Sequence, residues 1–173
     1  KPNVNALIVI SNDKLLENTE NNVSIINAFK MTDNILKQGI QSITDIINSV
    51  GTINVDFADV ETILGYTGFS YMGIGSAEGE NKIVEATLEA LNNPLTETGI
   101  DGAKGVIFNI KGSEDISLED INRSASLIGE KVSPDANVIF GTVIDEDLGD
   151  EVIVTVVATG VEEREKVDDN KRV

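Results

Sequence analysis

The sequence has 173 residues with 13 Lys and Arg against 30 Asp and Glu, and its net charge of −17 excludes a phosphate-neutralising nucleic-acid binder and disfavours contact with anionic membranes. At 40% hydrophobic and 25% charged it suits one domain, or one plus a piece of another, with an aliphatic core because aromatics are only 4%. Cys and His are absent, which excludes disulfides, thiolate or imidazole metal sites and His-dependent nucleophiles, and leaves acid–base work to Asp, Glu, Lys or Tyr.

In chain order, Ala6–Ile10 is a continuous apolar run, the pattern of a strand covered on both faces in a parallel sheet. Only five mostly polar residues precede it, so it is expected to be an orphan strand and the chain the C-terminal part of a longer protein. Its uncovered apolar surface predicts self-association, with strand exchange as one route. The spacing of Ile26, Phe29, Leu36, Ile40, Ile43 and Ile47 predicts an amphipathic helix over 23–48, with Asp33 in one place of the stripe. At 1.5 Å per residue such a helix spans roughly 39 Å, long enough to run between two layers or domains. Gly39 inside it costs about 1 kcal/mol relative to Ala.

A turn at Gly51 and a short helix from near Asp56 follow, then a strand at FSYMGIG. A helix over 80–92 carries Ile83, Val84, Thr87, Leu88 and Leu91 and stops at Asn92-Asn93-Pro94. A strand at 103–111 leads to a helix after Ser117 with Leu118, Ile121, Ala125, Ile128 and Val132 on one face. ANVIFGTVI and EVIVTVVAT then read as two strands joined by DEDLGD in a hairpin. The order predicts an α+β fold: a long helix, then a mixed four-stranded sheet with two helices on one face. The polar tail 161–173 reads as disordered. No apolar run reaches the roughly 20 residues of a membrane helix, so a soluble, cytoplasmic chain is expected.

Four places can carry chemistry. In Asn54-x-Asp56-x-x-Asp59 both carboxylates fall at the positive end of a helix. As N-cap and N3 they make a variant capping box. As two acids and an amide on an exposed loop they can orient a water for attack on a phosphoanhydride, a reaction that asks for positioning and charge management rather than histidine. Asp33 either sits at a wet edge or beside a Lys, or accepts from the N–H groups of a ligand such as a guanine edge, with Phe29 one turn earlier offering an aromatic face. Gly73-x-Gly75-x-x-x-Gly79 lacks phosphate-loop spacing, and Glu78 and Glu80 would repel a phosphate, so it reads as a tight strand-to-helix turn. Residues 145–151 are acidic enough for calcium but lack the EF-hand pattern and read as a solvated hairpin turn, so no metal site is expected.

Taken together, these residues resemble a known family. NVDFADV at 54–60 is similar to the signature loop of FtsZ, the bacterial tubulin-like division GTPase. LIVISNDKLL resembles the strand and turn before that family's central helix, MGIGSAEGENK the first strand and turn of its C-terminal domain, and EVIVTVVATG its last strand. The likeness runs in order from about residue 4 to 160. It implies the tubulin/FtsZ C-terminal fold, chorismate-mutase-like, and a division of the chain into five parts. These are the last strand and connection of a truncated GTP-binding domain (1–22), the central helix (23–50), the catalytic loop and short helix (51–66), the activation domain (67–160) and the tail (161–173).

The resemblance also implies a split site. GTP or GDP with Mg2+ is held by an N-terminal domain whose GGGTGTG-like loop is not found here, so this stretch alone is expected to be empty and inactive. Phe29 and Asp33 map onto base contacts of the central helix. Asp56 and Asp59, assisted by Asn54, would enter the next subunit's site in a head-to-tail polymer and orient the attacking water. Expected partners are further copies of the chain and membrane-tethering division proteins, the latter through a C-terminal peptide not seen after the tail, with neither nucleic acid nor direct membrane contact. The expected location is the mid-cell division ring. Ser11 departs from the family's proline and Ser42 from a common glycine. The alternative is a non-catalytic regulatory or assembly module of ferredoxin-like or chorismate-mutase-like fold, in which Asp56 and Asp59 only cap a helix.

Overall fold

Burial on both faces decides where each strand goes. The computed structural model describes residues 3–9, 24–48, 53, 55–92 and 98–161. Its strands are β1 (Ala6–Ile8), β2 (Gly68–Ala77), β3 (Gly105–Gly112), β4 (Asn137–Ile144) and β5 (Val152–Val161), and its helices α1 (Ile25–Asn48), α2 (Phe57–Leu64), α3 (Lys82–Leu91) and α4 (Leu118–Gly129). The sheet order is β1-β2-β5-β3-β4, with β1–β2 and β3–β4 parallel and β5 antiparallel to both its neighbours. The expected Gly51 turn, Asn93-Pro94, Ser11, Asn54 and the tail beyond Val161 lie outside the described residues.

Two expectations change here. β4 and β5 are not a hairpin pair, because β3 lies between them. Val152, Val154, Val156, Val157 and Ala158 of β5 are all buried, so this strand belongs at the sheet centre. Crossing one strand means covering about 10 Å, which the 145–151 connection does easily. Nor is the first strand solitary: Ala6 pairs with Gly68 and Ile8 with Ser70, adding a fifth strand to the expected four.

The helices expected on one face, α3 and α4, pack Ile83, Ala86, Ala90, Ile121 and Ile128 against Phe108, Ile110, Val154 and Val156. The opposite face is covered by α1 and α2, whose Ile46, Val60 and Ile63 meet Met72, Ile107 and Val157. Gly73 and Gly75 lie inside β2 rather than in a turn. A Cβ on either would run into the α3 backbone, at the carbonyls of Ala90 and Ala86 respectively. Only Gly79, with φ +92, serves the turn. Gly39 has the same role on the other face, where a Cβ would strike the Met72 sulfur, so its cost to α1 is offset by close packing. Beside it Ser42 Oγ hydrogen-bonds Thr155 Oγ1 at 2.9 Å, tying α1 to β5.

One end of the sheet is stapled by Lys82. This buried first residue of α3 reaches Asp115 at 2.8 Å and Asp150 at 3.2 Å, so three connections meet on one ammonium. The hydrogen bond to Asp115, only partly opposed by burial, raises the Lys82 pKa. Hydrogen bonds from Lys82 and then Ser113 lower that of Asp115. The Asp115 contribution to stability is therefore full above its ordinary value of 3.8 and is lost as pH falls through the lower folded value. The Lys82 contribution is full below its ordinary 10.5 and is lost only as pH rises through the higher folded value. Lys82→Met is expected to lower Tm at pH 7, with the two proteins converging as pH falls below about 3.8. Thermal unfolding across pH 2–7, monitored by circular dichroism, checks this.

Candidate functional site

The acids of the 54–59 segment lie where a loop becomes a helix. Asp56 has extended backbone (φ −74, ψ 142), and its carboxylate accepts from Ala58 N at 3.4 Å, which makes it the N-cap of α2. Its carbonyl accepts from Asp59 N at 3.0 Å and Val60 N at 3.3 Å. Val60 and Ile63 are buried against the sheet, and Thr159 Oγ1 donates to Ile63 O at 2.6 Å. Pinning that face turns Asp56 and Asp59 outward, where both are exposed. Asp59 makes no side-chain hydrogen bond to a described residue, so the capping-box reading covers Asp56 and leaves Asp59 unexplained. Asn54 lies outside the described residues.

The chain on the N-terminal side of Asp56 is docked on β4. Thr142 N donates to Ile53 O at 3.2 Å, Ile53 N donates to Thr142 Oγ1 at 3.1 Å, and Val55 rests against Gly141. Alongside lies a largely apolar cleft of about 220 Å³ lined by Ile53, Ile116, Leu118, Ile121, Thr142 and Ile144, with Glu114 among them. Leu118 in its lining and Phe57, next to Asp56 in the chain, are 63% and 59% exposed. Neither Thr142 nor Gly141 carries a sequence signal, because a threonine and a glycine in a strand are ordinary.

Phe29 and Asp33 occupy the other half of α1. Four residues apart, they share one face, and both are exposed. Asp33 thus sits at a wet edge, with no described residue in ion-pair contact. Only the C-terminal end of the stripe that predicted the helix packs on the sheet. Ile26, Phe29, Leu36 and Ile40 are exposed, whereas Gly39 and Ile46 are buried on the sheet, with Ile43 and Ile47 half-buried. Fifteen helical residues from Asp33 to Asn48 span roughly 22 Å, so Phe29 and Asp33 are not brought together with Asp56 and Asp59.

Among the described residues no group of three or more acids is placed to hold a metal ion. At 145–151 the chain forms a short 3-10 turn (Glu146–Leu148) in which Asp145 accepts from Asp147 N at 3.1 Å. Lys111 pairs with Asp145 at 2.8 Å and lies 4.0 Å from Asp45, Asp150 pairs with Lys82, and Glu146 accepts from Glu114 N at 3.1 Å, so three acids of the run are used in holding the fold. No described helix is long and apolar enough to cross a membrane.

Comparison with known proteins agrees with this fold. Residues 68–162 match the FtsZ family, C-terminal domain. An FtsZ dimer from M. jannaschii is 37% identical, with a TM-score of 0.83, over 91% of this chain and 46% of that one. CetZ2 from Haloferax volcanii, solved as a GTPγS-bound protofilament, is 18% identical with a TM-score of 0.74, over 94% of this chain and 48% of that one. CetZ from Methanosaeta thermophila is 18% identical with a TM-score of 0.69, over 90% and 43%. The two CetZ proteins share the fold alone at that identity. The chain spans a little under half the length of each of these structures, and because they are archaeal the comparison does not carry the expected bacterial source.

Proposed function

The chain belongs to the FtsZ family, and from that premise we propose that it supplies one side of a split GTPase site, with Asp56 and Asp59 acting on GTP held by the next copy in a head-to-tail polymer. The observation that carries this reading is that the two acids are exposed at the positive end of α2, with exposed Phe57 between them in the chain, and that the Asp59 carboxylate bonds no described residue. Groups so placed can act only on something a second molecule brings to them.

GTP supplies the phosphoanhydride that is cleaved. Asp56 and Asp59 accept hydrogen bonds from the attacking water and aim its lone pair at the γ-phosphorus, with Asn54 assisting from the same loop. Their negative charge repels phosphate, so the affinity for GTP and the Mg2+ that offsets its charge belong to the facing subunit. Phe29 and Asp33 fit the other end of a nucleotide. An exposed ring can stack a purine, and a carboxylate one turn on can accept the two N–H donors of a guanine edge. They would serve a nucleotide held on the upstream side of α1, where the exposed Ile26, Leu36 and Ile40 offer a surface for the family's nucleotide domain. Hydrolysis then requires assembly, and polymers of such subunits would build a cytoplasmic division ring, tethered to the membrane through partner proteins. The cap made by Asp56 favours a purely structural role for that residue, but it gives no role to Asp59.

The experiment is to mix this chain with a polypeptide carrying the family's N-terminal GTP-binding domain and follow phosphate release. Turnover is expected in the mixture and in neither part alone. A mixture that associates and binds GTP without releasing phosphate would overturn the reading.

A further inference from the structure

We infer that Thr142, with Gly141 beside it, forms the dock that fixes the loop in front of Asp56, which makes Thr142 a positioning residue for hydrolysis. The inference rests on the split-site reading above. β4 is the edge strand of the described sheet, so its outer row of backbone groups has no described strand to pair with. At Thr142 that edge is used. Its N–H donates to Ile53 O at 3.2 Å, and its hydroxyl accepts from Ile53 N at 3.1 Å. A single loop residue is thus paired as a strand residue would be, with a side-chain oxygen standing in for the backbone acceptor. Thr142 is 4% exposed, so no bulk water competes for that bond.

The second point of attachment is Val55. A Cβ at Gly141 would lie 3.3 Å from Val55 Cγ2 and 3.6 Å from Ile53 O, so the bare backbone at 141 is the seat on which the loop rests. Ile53, through its backbone, and Val55, through its side chain, both meet β4. Asp56 follows immediately, and beyond it Val60 and Ile63 anchor α2. The exposed acid is therefore held from both sides by buried contacts. The cleft lined by Ile53 and Thr142 gives the loop room to move once the hydroxyl is removed. Reacting groups displaced by about 1 Å can lose 100-fold in rate, so a dock two bonds strong matters to a water-positioning acid.

The test uses chain variants mixed with the GTP-binding domain, with Asp59→Ala run alongside. Thr142→Val keeps the shape and the backbone bond but deletes the acceptor. It is expected to lower kcat about tenfold or more with little change in KM for GTP, because the nucleotide is held by the other partner. Thr142→Ser restores the acceptor and is expected to recover most of kcat. In the chain alone, amide exchange at Ile53 is expected to rise at least about fivefold in Thr142→Val and to return in Thr142→Ser. Gly141→Ala pushes on Val55 without touching the hydroxyl and is expected to give the same kcat loss, which decides the matter if Thr142→Val fails to fold. If Asp59→Ala abolishes turnover while Thr142→Val and Gly141→Ala stay within twofold of wild type, the dock is overturned and the split site stands. Turnover indifferent to Asp59→Ala overturns both.

Discussion

Asp59→Ala is expected to lower GTP turnover in the reconstituted mixture by about 100-fold or more, while the chain loses less than about 1 kcal/mol of stability. The two figures come apart because the carboxylate does little for its own fold. It is exposed, hydrogen-bonds no described residue, and contributes only the weak attraction of an acid for the first turn of α2. Asp56 is a poorer probe when cut to Ala, since losing the bond to Ala58 N costs about 1 kcal/mol of cap. Asp56→Asn separates its roles, because Asn caps as well as Asp yet carries no charge. Phosphate release and thermal unfolding on the same samples read both quantities. A twofold effect of Asp59→Ala on turnover would leave only the cap, and with it the assembly-module reading.

Much of this was legible in the residues, for reasons that differ by element. The helices announced themselves through Ser117, whose hydroxyl accepts from Asp120 N at 3.4 Å, and through Asp56 as a cap. These are local signals, and local structure obeyed them. Strand order is a long-range property, and there proximity in sequence misled. A short connection after β4 suggests a hairpin, but β5 is buried on both faces and takes the centre instead. The α1 stripe shows a different limit. Periodicity reports that a helix has an apolar face, not what covers it. Here the first part of the readable stripe, Ile26 to Ile40, is exposed, while the face against the sheet is marked by Gly39, Ser42 and Ile46 and joined by the stripe's Ile43 and Ile47. Asp33 looked anomalous in that stripe for the same reason, since on an exposed face a carboxylate costs nothing to desolvate. The acids of the candidate site were visible from spacing alone, and their family resemblance gave them a role. What positions them was not visible, because the Thr142 acceptor and the Gly141 seat exist only once β4 lies at the edge of the sheet.

Gly73→Ala is expected to destabilise the chain by about 3 kcal/mol, lowering Tm by roughly 6–12 °C, although the added group is a single methyl. A Cβ at 73 would overlap the Ala90 carbonyl and come within 2.5 Å of the Tyr71 hydroxyl, the two groups that hydrogen-bond each other in the buried layer between β2 and α3. A backbone carbonyl cannot rotate away as a side chain can, so α3 must lift as a unit. That withdraws Ile83, Ala86 and Ala90 from the core. Two other glycines calibrate the effect. At Gly39 the obstacle is the Met72 thioether, a flexible end that can turn aside, so Gly39→Ala is expected to cost less than Gly73→Ala. At Gly129, the last residue of α4, a Cβ meets nothing within 4 Å, and Ala there is expected to stabilise by up to about 1 kcal/mol through helix propensity. Urea unfolding of the three variants should therefore rank them Gly129→Ala, Gly39→Ala, Gly73→Ala from most to least stable, with the first above wild type. Equal losses at 39 and 73 would mean that α3 can move off β2 as freely as Met72 turns, and the glycines of MGIG would then need an explanation other than helix contact.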